Sequence, residues 1–188
     1  MVNIMATRKC SYEAAKDQCD ILVNKMASET VQILVQGALS SGVSPDLMPL
    51  TKSTGKPHRG GYKHHPVVKW VQESFSNWCW LFAHGDALCR EFFVRYGKEH
   101  FAQSQIDHLR SAFVWYDYFP DIGLTPFARC FNQSKGENED LLDYEAWPCD
   151  HAAYREFYRR DKASFAKWEK GTSAPDWWHG EETVEVIA

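Results

Sequence analysis

The sequence predicts a mainly α-helical protein: a compact single-domain bundle of 188 residues, with a basic loop between two helices and an irregular, aromatic-rich C-terminal half. Three observations predict it. Long stretches carry apolar residues at three-then-four spacing, the mark of helices buried along one face. Strict apolar/polar alternation, which would mark half-buried strands, is scarce. The helical stretches are separated by clusters of Gly, Pro, Ser and Asn, which end helices rather than extend them.

The first helix is expected over Tyr12–Leu39, with Ser11 as its cap. Within it Leu22, Met26, Glu29, Ile33 and Gln36 share one face. Glu29 is therefore a carboxylate placed where a helix should be apolar. A buried, unpaired carboxylate is costly enough to find a partner or take up a proton, and a carboxyl with a raised pKa can act as a general acid or base near neutral pH. A plainer reading stays open. Lys25 stands one turn earlier, and Lys/Glu pairs four residues apart are ordinary on helix surfaces.

A flexible loop at about 42–65 follows. No acid occurs between Asp46 and Glu73, whereas Lys52, Lys56, Arg59, Lys63 and Lys69 do, together with His58, His64, His65 and glycines at 55, 60 and 61. The acids gather in Glu137–Glu145 and Glu181–Glu185, so a basic and an acidic surface can coexist although the net charge is −4. The loop reads either as a phosphate-directed surface or as a solvated linker. His65 precedes Pro66 at a helix start, where free backbone N–H groups suit a phosphate. Lys63, His64, His65 and Lys69 are the candidate clamp; a purely capping His65 is the alternative.

The second helix starts at Pro66 and is apolar nearly all round, which makes it central. Glu73, Asn77 and His84 form a polar stripe on it. They either line the cavity that receives Glu29, with Asn77 or Glu73 orienting a base, or fix helix register through buried hydrogen bonds. Arg95–Lys98 breaks the helix, and His100–Ser111 supplies a third. An irregular segment from Trp115 to Asp150 carries a Pro/Gly turn at Pro120–Pro126, and Asp150 is the expected N-cap of a last helix, His151–Lys170. That helix interleaves Tyr154, Phe157, Phe165 and Trp168 with Arg155, Arg159, Arg160 and Lys162, giving a packed face and a cationic one free for phosphates or solvent. Trp177 and Trp178 begin the acidic-ended tail, about 171–188. They either stack on nucleic-acid bases or fold back as a latch over the core.

Six cysteines show no CxxC or Cys/His ligand spacing, so neither a disulfide framework nor a metal site is expected. No apolar run reaches about 18 residues and no secretory signal is visible, which leads to the expectation of a soluble intracellular protein without a membrane span.

Taken in order, three stretches resemble the pyrimidine-dimer DNA glycosylases, a family of small phage and bacterial enzymes. Leu22–Leu34 is similar to the family's first long helix, with its catalytic glutamate falling on Glu29. Tyr62–Trp70 is similar to the "asparagine or histidine, His, Pro" start of its central apolar helix. Ala153–Trp168 with Pro175–Trp178 is similar to its last helix and aromatic tail. The resemblance implies excision of a damaged or modified pyrimidine from double-stranded DNA, with or without AP-lyase activity and without metal or organic cofactor, in the cytoplasm of a bacterial host if the chain is phage-encoded. In the family the protein's own α-amino group attacks the sugar C1′; methionine removal would here expose Val2. Of the site residues only Glu29 carries across from the family's motif; on a DNA-directed reading, Lys25, Glu73, Asn77, Arg159, Trp177, Trp178 and the loop cations are the candidate DNA contacts. Two departures stand out: extra residues, Val2–Ser11, precede the first helix, and the arginines that flank the family's glutamate are replaced nearby by Lys25, Ser28 and Gln32. Such changes fit a relative acting on a different base, such as a hypermodified phage pyrimidine. A DNA-base modifying enzyme on the same scaffold, and a non-catalytic nucleic-acid- or protein-binding or inhibitory protein, are the other classes left open.

Overall fold

The computed structural model describes residues 2–132 and 136–179, apart from the side chains of 112 and 113; the acidic tail residues Glu181–Glu185 lie outside this range. The described residues form α1 (Ser11–Lys16), α2 (Asp20–Ser40), α3 (Pro66–Glu73), α4 (Phe75–Tyr96), α5 (Gln103–Leu109) and α6 (Asp150–Lys162), with 3-10 turns at Pro45–Leu47, Arg110–Tyr118 and Asp140–Leu142. No strand occurs among them, and the mainly α class is as the sequence predicts. None of these helices is long and apolar enough to cross a membrane.

α2 and α4 form the centre and run antiparallel. The Trp78 indole N–H, on α4, donates to the Leu34 carbonyl of α2 at 3.2 Å. Seven residues further along α4, Gly85 meets Thr30, where a Cβ would lie 2.7 Å from the threonine methyl. Only glycine permits that approach. Trp70, Trp78, Leu81 and Leu88 are almost wholly buried at this junction's core, each contributing roughly 2–3 kcal/mol of apolar transfer.

The expected single helix Tyr12–Leu39 is instead two, broken at Asp17–Cys19, and Ser11 is the first helical residue rather than the cap. Tertiary partners explain the break. The buried Arg95 guanidinium donates to the carbonyls of Lys16 and Gln18 at 3.0 and 2.7 Å, taking over the role of the next helical N–H groups. The Cys19 N–H goes to the Tyr158 hydroxyl at 2.8 Å, and Asp20 N–H to the Lys167 carbonyl at 2.9 Å. Asp17, itself buried, accepts from the Thr7 hydroxyl, Arg8 and the Trp177 indole.

The second helix is also divided. Ser74 is extended (φ −159°, ψ 149°), its hydroxyl accepts the Asn77 N–H and donates to the Gly123 carbonyl, and α4 restarts behind this cap. α4 ends at Gly97 in the left-handed region, φ +65°, as the Arg95–Lys98 break anticipates. The third helix is shorter than expected and passes into the 3-10 turn at Arg110. The last helix stops at Lys162, not Lys170, and Asp150 lies inside it: its carboxylate accepts from Phe127 N–H at 2.9 Å and Arg129 Nε at 2.8 Å instead of capping.

The segment before α1 is part of the core. Val2, Ile4, Met5 and Ala6 are buried, and α6 holds the segment through His151 Nδ1–H to the Ala6 carbonyl (2.8 Å) and Arg155 Nε–H to the Thr7 carbonyl (2.9 Å).

Candidate functional site

The site is built on the outer edge of α2. Lys25, Ser28, Gln32 and Gln36 stay accessible along this edge, while Leu22, Met26 and Ile33 turn into the core. Glu29 sits at the boundary and is only 9% exposed. Its Oε1 lies 3.5 Å from Lys25 Nζ; its Oε2 is buried with no hydrogen-bond partner among the described residues. The plain reading of a surface Lys/Glu pair accounts for one oxygen and leaves the other unsatisfied. Such a group costs on the order of 1–3 kcal/mol.

Lys25 also lines a cavity of about 170 Å³ with Asn3, Met5, Met26, Asn132, Phe157, Asp161 and Lys162. Whether the N-terminal segment reaches Glu29 is undecided by the sequence; the structure brings Asn3 and Met5 to the same cavity as Glu29's partner. Asn3 fixes this segment by donating Nδ2–H to the Cys130 carbonyl and accepting Ile4 and Met5 N–H at 2.7 and 3.0 Å. Met5 adopts φ +44°, one of two positive-φ residues other than glycine among the described residues. Val2 itself is 1% exposed.

The other positive-φ residue, Tyr62 (φ +63°), lies in the basic loop. That loop, which the sequence suggests is flexible, carries its own bonding: Leu50 bridges Pro57, Thr51 N–H donates to Lys56, and His58 N–H to Pro49. It is tied to α5 by Gln105 Nε2–H to Leu50 (3.1 Å) and by His108 Nε2–H to Leu47 (3.0 Å). Gly60 packs directly on Gln36 of α2, and Gly61 over Gln32.

Three concavities surround the loop. One of about 510 Å³ lies between α2, the loop and α5, with Ser28, Gln32, Lys52, His58, Phe101 and Gln105 among its walls. A second, about 350 Å³, is lined by Leu39, Lys56, His58 and Arg59. The third, about 500 Å³, gathers Gln36, Ser40, Lys63, His64, Lys69 and Gln72. His58 lines the first two and Leu39 the last two. Lys52, Lys56, Arg59, Lys63 and Lys69 are exposed, and none forms a salt bridge among the described residues. Arg8, Arg95, Arg129, Arg159 and Arg160, by contrast, are all paired with carboxylates. The positive charge of the loop is therefore uncompensated locally.

Lys63, His64 and Lys69 are brought together around one concavity. His65 is not among its walls; its Nδ1 accepts the Val67 N–H at 3.3 Å as the cap of α3, and burial holds its pKa below the usual histidine value. A neutral imidazole suits a cap that must accept a hydrogen bond. His65 therefore takes its capping role.

The polar stripe is committed elsewhere. Asn77 donates to the Trp70 carbonyl and Thr125 Oγ1, both at 2.7 Å, and accepts Thr125 N–H at 3.0 Å; the Thr125 hydroxyl donates to Glu73 at 2.9 Å. These bonds seat the Pro120–Pro126 turn on the α3–α4 junction. His84 donates Nδ1–H to the Ser11 carbonyl at 3.0 Å, and complete burial pushes its pKa down to about 4.

The aromatic tail takes the fold-back alternative. Trp177 is 7% exposed and its indole N–H donates to Asp17 at 2.8 Å, so no base can stack on it. Trp178 packs edge-on to Tyr158 and against Trp168. The pair is a latch. Arg159 serves that latch, bonding the Trp177 carbonyl at 3.1 Å and Glu156 at 2.8 Å.

No family model, curated protein or solved structure matches the chain. Sequence reasoning missed two members of the neighbourhood, Asn3 and Asp161. No periodic signal marks either one: the apolar N-terminal segment is too short to show a period, and Asp161 stands in a run of charged residues that reads as a solvated helix face.

Proposed function

We propose that the chain is a DNA glycosylase, with or without AP-lyase activity, that excises a damaged or modified pyrimidine with Glu29 as its proton-handling residue. The observation that carries this reading is the half-satisfied Glu29 carboxylate: buried, paired on one oxygen only, and on the same helix edge that the unneutralised basic loop covers. A polyanion drawn to that loop would lie along α2. The target nucleotide then has to leave the stack for its sugar to reach the carboxylate.

In this reading a neutral amine attacks C1′ of the target nucleotide. A bond forms between the amine nitrogen and C1′ as the glycosidic bond breaks, and the base departs with the electron pair and takes a proton. Loss of a proton from the amine and opening of the sugar ring leave a Schiff base, with Glu29 moving protons at the ring oxygen. An α-amino group, with its pKa near 8, is substantially neutral at physiological pH. An N-terminal amine at Val2 is the nucleophile this reading takes from the resemblance; Val2 is buried and does not line the Lys25 cavity that Asn3 and Met5 reach, so the segment before Asn3 has to come free for the amine to reach C1′.

Borohydride reduction tests the reading. Incubation with duplexes carrying an abasic site, a thymine dimer or a modified pyrimidine, followed by reduction, should give a covalent protein–DNA band that vanishes when the N-terminal amine is blocked. Base release without a band would replace the amine by activated water; neither band nor release would remove the glycosylase reading.

A further inference from the structure

The loop between Arg59 and Pro66 holds one residue that the mechanism above does not use. Tyr62 is about half exposed, follows the Gly60–Gly61 pair and precedes Lys63 and His64. Its backbone is in the left-handed region, φ +63°, which costs a bulky side chain on the order of 1 kcal/mol or more. The conformation is held from both sides. Gly60 is seated on the Gln36 backbone, and the Tyr62 carbonyl accepts the His65 N–H at 2.8 Å. Its ring touches only the edge of His65, centroids 6.4 Å apart, among the aromatic contacts described. A half-exposed aromatic residue is thus carried by a turn in a strained conformation.

The surroundings select what that ring would meet. Arg59, Lys63, His64 and Lys69 are exposed near it, and the cations among them have no carboxylate partner among the described residues. An apolar protein surface would gain nothing from these charges. An acidic peptide would have no use for a displayed ring. A nucleic-acid strand uses both: phosphates for the cations, and the π-face of an unstacked base for the ring. The neighbouring Gly61 lies over Gln32, one helical turn from Glu29, so the turn that carries Tyr62 is seated on the same helix as the carboxylate.

We infer that Tyr62 is the stacking platform for an unpaired base, holding a nucleotide that has left the duplex while Lys63, His64 and Lys69 hold its backbone. This rests on the reading of the protein as DNA-directed and deepens it: the preferred ligand is DNA with an extrahelical base, not uniform duplex. Tyr62 is a positioning residue and takes no part in proton transfer.

The test uses the full chain and two fluorescein-labelled duplexes, one fully paired and one with a single bulged 2-aminopurine. Wild type should bind the bulged duplex more tightly and quench the 2-aminopurine. Tyr62→Gly accepts the positive φ without strain and removes the ring; it should lose about tenfold in affinity for the bulged duplex, with the quench abolished and the fully paired affinity unchanged. Tyr62→Phe should behave as wild type. If Tyr62→Gly binds and quenches as wild type does, the inference fails while the DNA-directed reading stands. If wild type binds neither duplex, both fail.

Discussion

Lys25 reaches one oxygen of Glu29 and not the other: Oε1 lies 3.5 Å from the ammonium, and Oε2 is buried with no partner among the described residues. The unsatisfied oxygen is a cost to the fold. If Glu29 is kept for chemistry, Glu29→Met should stabilise the fold by about 1 kcal/mol, since the desolvation cost of Oε2 disappears and an exposed-lysine pair is worth little. Chemical denaturation of the two proteins measures it. A loss of more than 1 kcal/mol would make the carboxylate structural.

The loop's position depends on Gly60. A Cβ there would lie 2.7 Å from Gln36 Cα and 2.8 Å from its nitrogen, and the φ of +70° disfavours any L side chain. Helix backbone cannot yield as a flexible side chain would. Gly60→Ala should lower stability by roughly 1–3 kcal/mol and lift the loop from α2, seen as faster proteolysis between Thr51 and Lys63. Gly55, also at positive φ but with open space around it, should tolerate alanine better.

Uncompensated loop cations predict a salt signature. Affinity for double-stranded DNA should fall linearly on a log–log plot against salt, with a slope of about −0.9 for each phosphate contacted. Charge removal at Lys63 and Lys69 together should flatten the slope by nearly two units. Removal at Arg160, already bound to Glu156 and Asp140, should leave the slope unchanged.

His84 predicts an acid limit to stability. Its pKa is near 4 in the folded protein against an ordinary value of 6.5, because burial disfavours the charged ring. Below pH 6.5 the unfolded chain takes up a proton that the folded chain refuses until about pH 4. The stabilisation is therefore complete above pH 6.5 and is lost as pH falls through that window, at up to about 1.4 kcal/mol per unit. Burial moves His58 and His100 in the same direction. His84→Gln, whose amide can still donate to the Ser11 carbonyl, should flatten the slope of stability against pH between 4 and 6.5.

Periodicity made the helices legible, and with them the burial of Leu22, Met26, Glu29 and Ile33 on one face of α2. The break at Asp17–Cys19 was not, because it is imposed by Arg95 and Tyr158, 76 or more residues away, and nothing local announces it. Ser74 did announce itself, as a serine three residues before Asn77, but an unbroken apolar pattern outweighed it. In the candidate site, the Lys25–Glu29 pair and the acid-free loop follow from spacing and charge alone. The fate of Trp177 does not: an indole after a Gly/Ser/Pro break looks exposed until the partner, Asp17, is known. Asn3 escaped for a similar reason, since a short apolar N-terminal segment has no period that would mark it as core.

The most direct test compares wild type and Glu29→Gln for release of free base from duplexes bearing a thymine dimer or a modified pyrimidine, with DNA affinity measured in parallel. The account predicts that wild type releases base, and that Glu29→Gln binds the same duplex with unchanged affinity while releasing base 100-fold more slowly or worse, at the order of magnitude of a lost general acid or base of about 10² to 10⁴. Base release at the wild-type rate by Glu29→Gln, or none from any duplex that wild type binds, would contradict it.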